Sequence, residues 1–202
     1  FLILDGAMGT MIQSYNLTES DFRGERFKDV PGIMKGNNDV LNLTRPDIIR
    51  EIHQKYLAAG ADIIETNTFS SQPISMSDYH IAEYSNEITK AGCKIAREIA
   101  DEFTAIDPTK PGFVAGSIGP TNKTCSISPD VNNPAVRDIS FDEMVHAYKS
   151  QMTEMLLCDV DAFLIETIFD TLNAKAAIYA AEEAMNSIGK RIQLMLSATI
   201  AD

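Results

Sequence analysis

Three apolar, strand-like runs each close on a carboxylic acid. Ala61-Asp62-Ile63-Ile64-Glu65-Thr66 and Ala162-Phe163-Leu164-Ile165-Glu166-Thr167 reach a glutamate, and Phe1-Leu2-Ile3-Leu4-Asp5-Gly6 reaches an aspartate. Aliphatic and β-branched content of this kind marks buried parallel strands. In parallel α/β folds, ligands bind where such strands leave the core. Asp5, Glu65 and Glu166 are therefore expected to converge on one face. Carboxylates so placed grip a cation, either an amino group or a hard metal such as Mg²⁺. Hydrogen-bonding groups follow two of these acids directly: the backbone at Gly6 and Ala7, and Thr66-Asn67-Thr68. The stretch Gly116-Ser117-Ile118-Gly119-Pro120-Thr121-Asn122-Lys123 offers more donors after another apolar run.

Each of these motifs also has a plainer reading. Asp5 can cap a strand-to-helix turn, the glutamates can be surface strand termini, and Gly119-Pro120 can mark a turn. His53 and His146 fall within helical patterns and His80 near a helix start, with no H-x-x-x-H pair, so none is assigned a ligand role. Cys93 and Cys158 read as small apolar residues. Cys125 lies in a loop near the expected face, but a lone thiol does not make a zinc site.

The elements that must position the acids alternate. Strands are expected at 2–5, 62–66, 113–117, 162–167 and 193–198. Thr44 with Pro46 opens a helix whose apolar face is Ile48, Ile49, Ile52, Tyr56 and Leu57, and Gly60 stops it. A long helix is expected from Asp78 to Phe103. Ser140 with Glu143 forms a capping box for a helix to Leu157, and Asp170 caps another ending near Gly189. The polar segment 16–40 is long for a connection, which points to a functional role. This βαβαβαβαβ order implies a parallel sheet. The chain carries no G-x-G-x-x-G or Walker motif, and acids at successive strand ends favour a (β/α)₈ TIM-type barrel, here about its first five strands.

Composition narrows the class. The 202 residues suit one domain, 45% are hydrophobic, and the net charge is −12. That balance, with no Lys/Arg cluster, argues against nucleic acid or anionic membrane as partners. Three widely spaced cysteines and no signal-like segment suggest reduced thiols and a cytoplasmic location. Residue 1 already lies inside a strand pattern and the last strand stops abruptly, so the chain is expected to be one domain truncated at its C-terminal side. Two open sheet edges then invite self-association.

Asp5-Gly6-Ala7-Met8-Gly9-Thr10-Met11-Ile12-Gln13, Lys35-Gly36-Asn37-Asn38-Asp39, Gly60 to Phe69, Gly119-Pro120-Thr121-Asn122-Lys123-Thr124 and Glu166-Thr167-Ile168-Phe169-Asp170 together resemble the N-terminal homocysteine-binding module of the cobalamin-dependent methionine synthases. The segment from Arg23 to Asn38 is more similar to that family than to its relative, betaine–homocysteine methyltransferase. The resemblance implies a (β/α)₈ barrel that transfers a methyl group from methylcobalamin to homocysteine, giving methionine. It implies methyltetrahydrofolate as the source that restores the methyl, with cobalamin-binding and folate-binding modules on the same polypeptide. It also implies a zinc held by three cysteine thiolates from later strands, beyond residue 202, which Cys93, Cys125 and Cys158 do not match. By resemblance, Asp5 and Glu166 hold the homocysteine ammonium, while amides near Gly6 and Ala7, with Thr66, Asn67 and Thr68, shape the pocket. A metal-dependent lyase or aldolase using Glu65 and Glu166 as hard ligands, and a binding or assembly fragment without activity, are the alternatives from residues alone.

Overall fold

The computed structural model describes residues 1–200. Four parallel strands form one sheet in sequential order: β1 (Ile63–Glu65), β2 (Phe113–Ile118), β3 (Ala162–Ile168) and β4 (Gln193–Ala198). The helices are α1 (Met8–Gln13), α2 (Glu19–Arg23), α3 (Leu41–Thr44), α4 (Pro46–Ala59), α5 (Pro73–Ser77), α6 (Ser85–Ile106), α7 (Phe141–Leu157) and α8 (Thr171–Ile188). The crossovers that make the sheet parallel run through α6, α7 and α8.

The expected first strand forms only in part. Leu4 makes one parallel bridge to Ile63, and Asp5 donates its N–H to the Ile63 carbonyl at 2.9 Å. Residues 1–4 are exposed, and with one flank unpaired the run stays an edge segment rather than a full strand.

Two helix starts differ from expectation. Thr44 ends α3, its hydroxyl donating to the Val40 carbonyl at 3.4 Å, and α4 begins at Pro46 behind Arg45. Proline's fixed φ suits that first position, and Gly60, at φ +112°, closes the helix as expected. The long helix begins at Ser85 rather than Asp78. His80 takes a left-handed φ of +57°, so residues 78–84 form a turn that buries Ile81. Ser140 with Glu143 forms the capping box, and Asp170 caps α8 through the Leu172 and Asn173 N–H groups.

Two apolar clusters result. One joins the sheet to α6, α7 and α8, where Ala176, Ala177, Ala180, Ala181 and Ala184 keep α8 close to its neighbours. The other gathers Ile12, Phe22, Phe27, Met34, Leu41, Ile49, Ile52 and Ile88 beneath the 16–40 segment. That segment has little regular structure and is held by ion pairs: Arg26–Glu87 and Asp21–Arg45 tie it to its neighbours, and Glu19–Arg23 organises it from within. Glu19 accepts from the Met34 and Lys35 N–H groups at 2.8 and 2.7 Å and from Arg23 Nε at 2.6 Å. Arg23 in turn donates to the carbonyls of Phe27, Val30 and Gly32. The pair thereby delivers Asn37-Asn38-Asp39 to the strand ends.

Arg23→Ala is expected to cost about 2–4 kcal/mol, because it strips several carbonyls and one carboxylate of their donor. It should also open residues 24–36 to amide exchange ahead of the sheet. Uniform exchange across the chain would contradict the clamp. His53 is fully buried in α4 with no protein partner for either ring nitrogen, and burial lowers its pKa to about 4. Its native pKa lies below the unfolded value, so the stability it permits is present above pH 6.5 and lost as pH falls through about 4. His53→Leu should therefore stabilise the fold by about 1–2 kcal/mol at pH 7 and remove that acid limb. Urea unfolding at pH 7 and pH 5 checks both, and a less stable variant at pH 7 would mean the ring is satisfied after all.

Candidate functional site

Strand register places the acids. Leu4 beside Ile63 puts Asp5 level with Ile64, one residue before Glu65, whose N–H donates to Asp5 Oδ2 at 3.1 Å. Ser117 pairs with Leu164 across β2 and β3, so Glu166 emerges just beyond, and Ser117 Oγ donates to Glu166 Oε1 at 2.5 Å. Glu65 and Glu166 line the same cleft, and the nearby Glu166 helps raise the Glu65 carboxyl. Thr167, next in the chain, takes a left-handed φ of +55°, and the β3–β4 register shifts between Ile165 and Ile168. Such a kink re-aims side chains at a strand end.

These acids open into one cleft of about 700 Å³, within the range of small-molecule sites. Asp5, Gly6, Ala7, Thr66, Asn67 and Glu166 all line it. Thr68 does not. It is fully buried, exchanges a 2.6 Å hydrogen bond with Thr66 and donates to the Ser117 carbonyl at 2.8 Å, so it supports the wall from behind. Thr66 Oγ1 accepts the Ser117 N–H at 3.0 Å, and Asn67 Nδ2 is spent on the Asn38 carbonyl and Asn42 Oδ1. Gly6 matters by what it lacks: a Cβ there would meet the Tyr56 hydroxyl at 3.2 Å, the group that donates to the Ala7 carbonyl. Among the described residues, the Gly6 and Ala7 N–H groups have no protein acceptor.

The site includes acids that the strand-end pattern does not reveal. Asp39 is buried, lines the cleft and accepts the Ser70 N–H at 3.1 Å, and Asp78 sits on the rim, accepting from Asn122 Nδ2 at 2.6 Å. Asp39 comes from the irregular 16–40 region, where no periodicity shows which way a side chain points. The signals are the length of that segment and the motif Lys35-Gly36-Asn37-Asn38-Asp39, which ends on this acid. With five carboxyls, no lysine, arginine or histidine lines the cleft among the described residues. Burial raises Asp5 to about 7, Asp39 to about 7 and Glu65 to about 8, with Glu166 and Asp5 adding to the effect on Glu65. Asp5 Oδ1 is buried without a partner. An amino group would supply the missing positive charge and donors. The missing lysine also leaves the aldolase alternative without a Schiff-base amine.

A thiolate zinc site does not fit the residues present. Cys93 packs in the core, where burial pushes its thiol well up. Cys158 ends α7, and Cys125, although it follows β2, is buried with its N–H on Asn173. Among the described residues, no three His, Cys, Asp or Glu side chains gather to hold a metal.

Solved structures that share this fold include three of the homocysteine methyltransferase MmuM from Escherichia coli. The metallated form matches with a TM-score of 0.73 and 20% identity, the oxidised form with 0.72 and 21%, and the apo form with 0.65 and 20%. Each match covers all of this chain, which spans 60–64% of the length of those structures. The four parallel strands are thus part of a TIM-type barrel. The profile of one family, described as Homocysteine S-methyltransferase, matches residues 2–202, and the chain belongs to that family.

Proposed function

We propose that the cleft binds homocysteine for S-methylation, as the amino-acid half of a cobalamin-dependent methionine synthase module. The observation that carries this reading is a cleft lined by five carboxyls, Asp39 fully buried among them, with no cationic side chain among the described residues. Asp5 and Glu166 hold the ammonium, and the free N–H groups of Gly6 and Ala7 take the carboxylate. Thr66 and Asn67 shape the wall, with Thr68 behind them. Held at that end, the ligand presents its sulfur away from the strand ends. Methyl transfer then forms a carbon–sulfur bond, releases the thiol proton and breaks the bond between methyl and its carrier. On this reading the methyl comes from methylcobalamin, replenished from methyltetrahydrofolate, on cobalamin- and folate-binding modules of the same polypeptide.

Zinc would come from thiolates other than Cys93, Cys125 and Cys158. The existence of a metallated form of the E. coli homocysteine methyltransferase supports including a metal. No helix among the described residues is long and apolar enough to cross a membrane. The three unpaired thiols support a reducing, cytoplasmic setting. We also propose residues 1–202 as one domain whose sheet edges, at residues 2–5 and β4, pair with further strands. Leu2, Ile3 and Leu196 are all more than half exposed there. Sedimentation of the chain should show self-association, which charged substitutions at Ile3 and Leu196 reduce. A monodisperse monomer would overturn that part.

Asp5→Asn and Glu166→Gln are each expected to weaken homocysteine binding by about tenfold to a hundredfold, since each removes one charge-assisted bond to the ammonium. Asp5, at about 7, must give up its proton to meet the ammonium. Affinity should therefore rise as pH increases from 6 to 7.5, with net proton release. Asp5→Asn should abolish much of that release. Titration calorimetry in two buffers of different ionisation heat reads both quantities, and a pH-independent affinity would count against the ammonium site.

A further inference from the structure

An apolar ring stands in the acid-lined cleft. Phe69 follows the Thr66-Asn67-Thr68 turn that leaves β1, and it lines the cleft. Its backbone is fixed on both sides. The Gly119 N–H donates to the Phe69 carbonyl at 2.8 Å, and the Ser70 N–H donates to Asp39 Oδ1 at 3.1 Å. Behind the turn, buried Gln151 of α7 donates through Nε2 to the Thr68 carbonyl at 2.6 Å and to Ser71 Oγ at 3.1 Å. Ser71 Oγ shares a 2.7 Å hydrogen bond with Thr89 Oγ1 of α6. The ring has a fixed seat as well. A Cβ on Gly119 would come within 2.6 Å of Phe69 Cε1 and Cζ, so the ring lies directly against the Gly119 backbone. Buried Tyr148 donates to the Gly119 carbonyl at 3.2 Å and holds that seat in place.

Phe69 nevertheless stays 36% exposed. A ring held rigidly at a polar cleft keeps apolar area in water that a ligand can cover. We propose that the Phe69 ring is the platform for the methylene–thiol arm of the bound amino acid and sets a preference for sulfur over oxygen in that arm. The inference rests on the homocysteine reading of the cleft. Homocysteine is charged at one end and apolar at the other. Asp5 and Glu166 take the ammonium at the strand ends, and Phe69, beyond the turn that leaves β1, meets the arm. A polarizable sulfur gains from contact with an aromatic ring. A hydroxyl in the same place gives up water and finds no hydrogen-bond partner on the ring. Because Gly119, Gln151 and the Ser70–Asp39 bond fix the ring before any ligand arrives, the preference is built into the empty cleft.

Homocysteine and homoserine, its oxygen counterpart, titrated into the full chain read this preference. Wild type should bind homocysteine about tenfold more tightly than homoserine. Phe69→Leu keeps apolar bulk without the ring and should weaken homocysteine about threefold, and Phe69→Ala about tenfold, with homoserine within about twofold of wild type in both. Gly119→Ala leaves Phe69 intact but puts a methyl group into the ring's seat, and its preference should fall too. Equal weakening of both amino acids by Phe69→Ala would make the ring a mere support of the wall and overturn the proposal, as would unchanged affinities. A second measurement needs no variant. With phenylalanine rings labelled, the Phe69 ring protons should show a nuclear Overhauser effect to the γ-methylene protons of bound homocysteine. Its absence from the saturated complex would rule the platform out. Equal wild-type affinity for the two amino acids would sink the platform and leave the ammonium site standing, whereas a wild type that binds neither would sink the homocysteine reading and this inference with it.

Discussion

Like charges gathered out of water repel, and this fold gathers Asp5, Glu65 and Glu166 at adjacent strand ends with no cationic side chain among the described cleft residues. The raised values of Asp5 and Glu65 express the cost, a few kcal/mol each. Both native values lie above the unfolded ones. The stability these groups permit is therefore complete below about pH 4 and is lost as pH rises through 7 to 8. The rest of the fold offsets that loss with apolar burial around the sheet and under the 16–40 segment. Much of the local polar detail limits it further: Ser117 donates to Glu166, and the Glu65 N–H donates to Asp5.

Those bonds depend on backbone placement more than on side-chain identity. Thr66, Thr68 and Ser117 tie β1 to β2 just below the cleft, and Asn42 and Asn67 tie the same wall to α3. Gly92 lets that wall close, since a Cβ there would come within 2.5 Å of Asn42 Nδ2 and 2.9 Å of Thr68 Cγ2. The cleft is thus rigid where the acids stand and is completed by the segment that Glu19 and Arg23 clamp.

What could be read in the sequence followed from periodicity. Asp5, Glu65 and Glu166 were visible because each follows an apolar run, and a strand end is a position that pattern defines. Ser140 and Asp170 were visible as caps because a cap acts within three residues. Asp39 was not visible as a cleft residue, since its place depends on Arg23 bonds to carbonyls up to nine residues away. The turn at 78–84 was missed because Ile81 and Tyr84 keep helical spacing while His80 breaks the backbone. Thr68 shared a motif with Thr66, yet only register shows that it faces inward.

The three acids come from residues 5, 65 and 166, so most of the chain must be in place before they can meet. No local segment, however well formed, has the cleft. A ligand that needs all three can bind only the completed fold, and by mass action it stabilises that fold alone. The site therefore acts as a checkpoint on folding, since occupancy counts molecules whose distant halves have already come together.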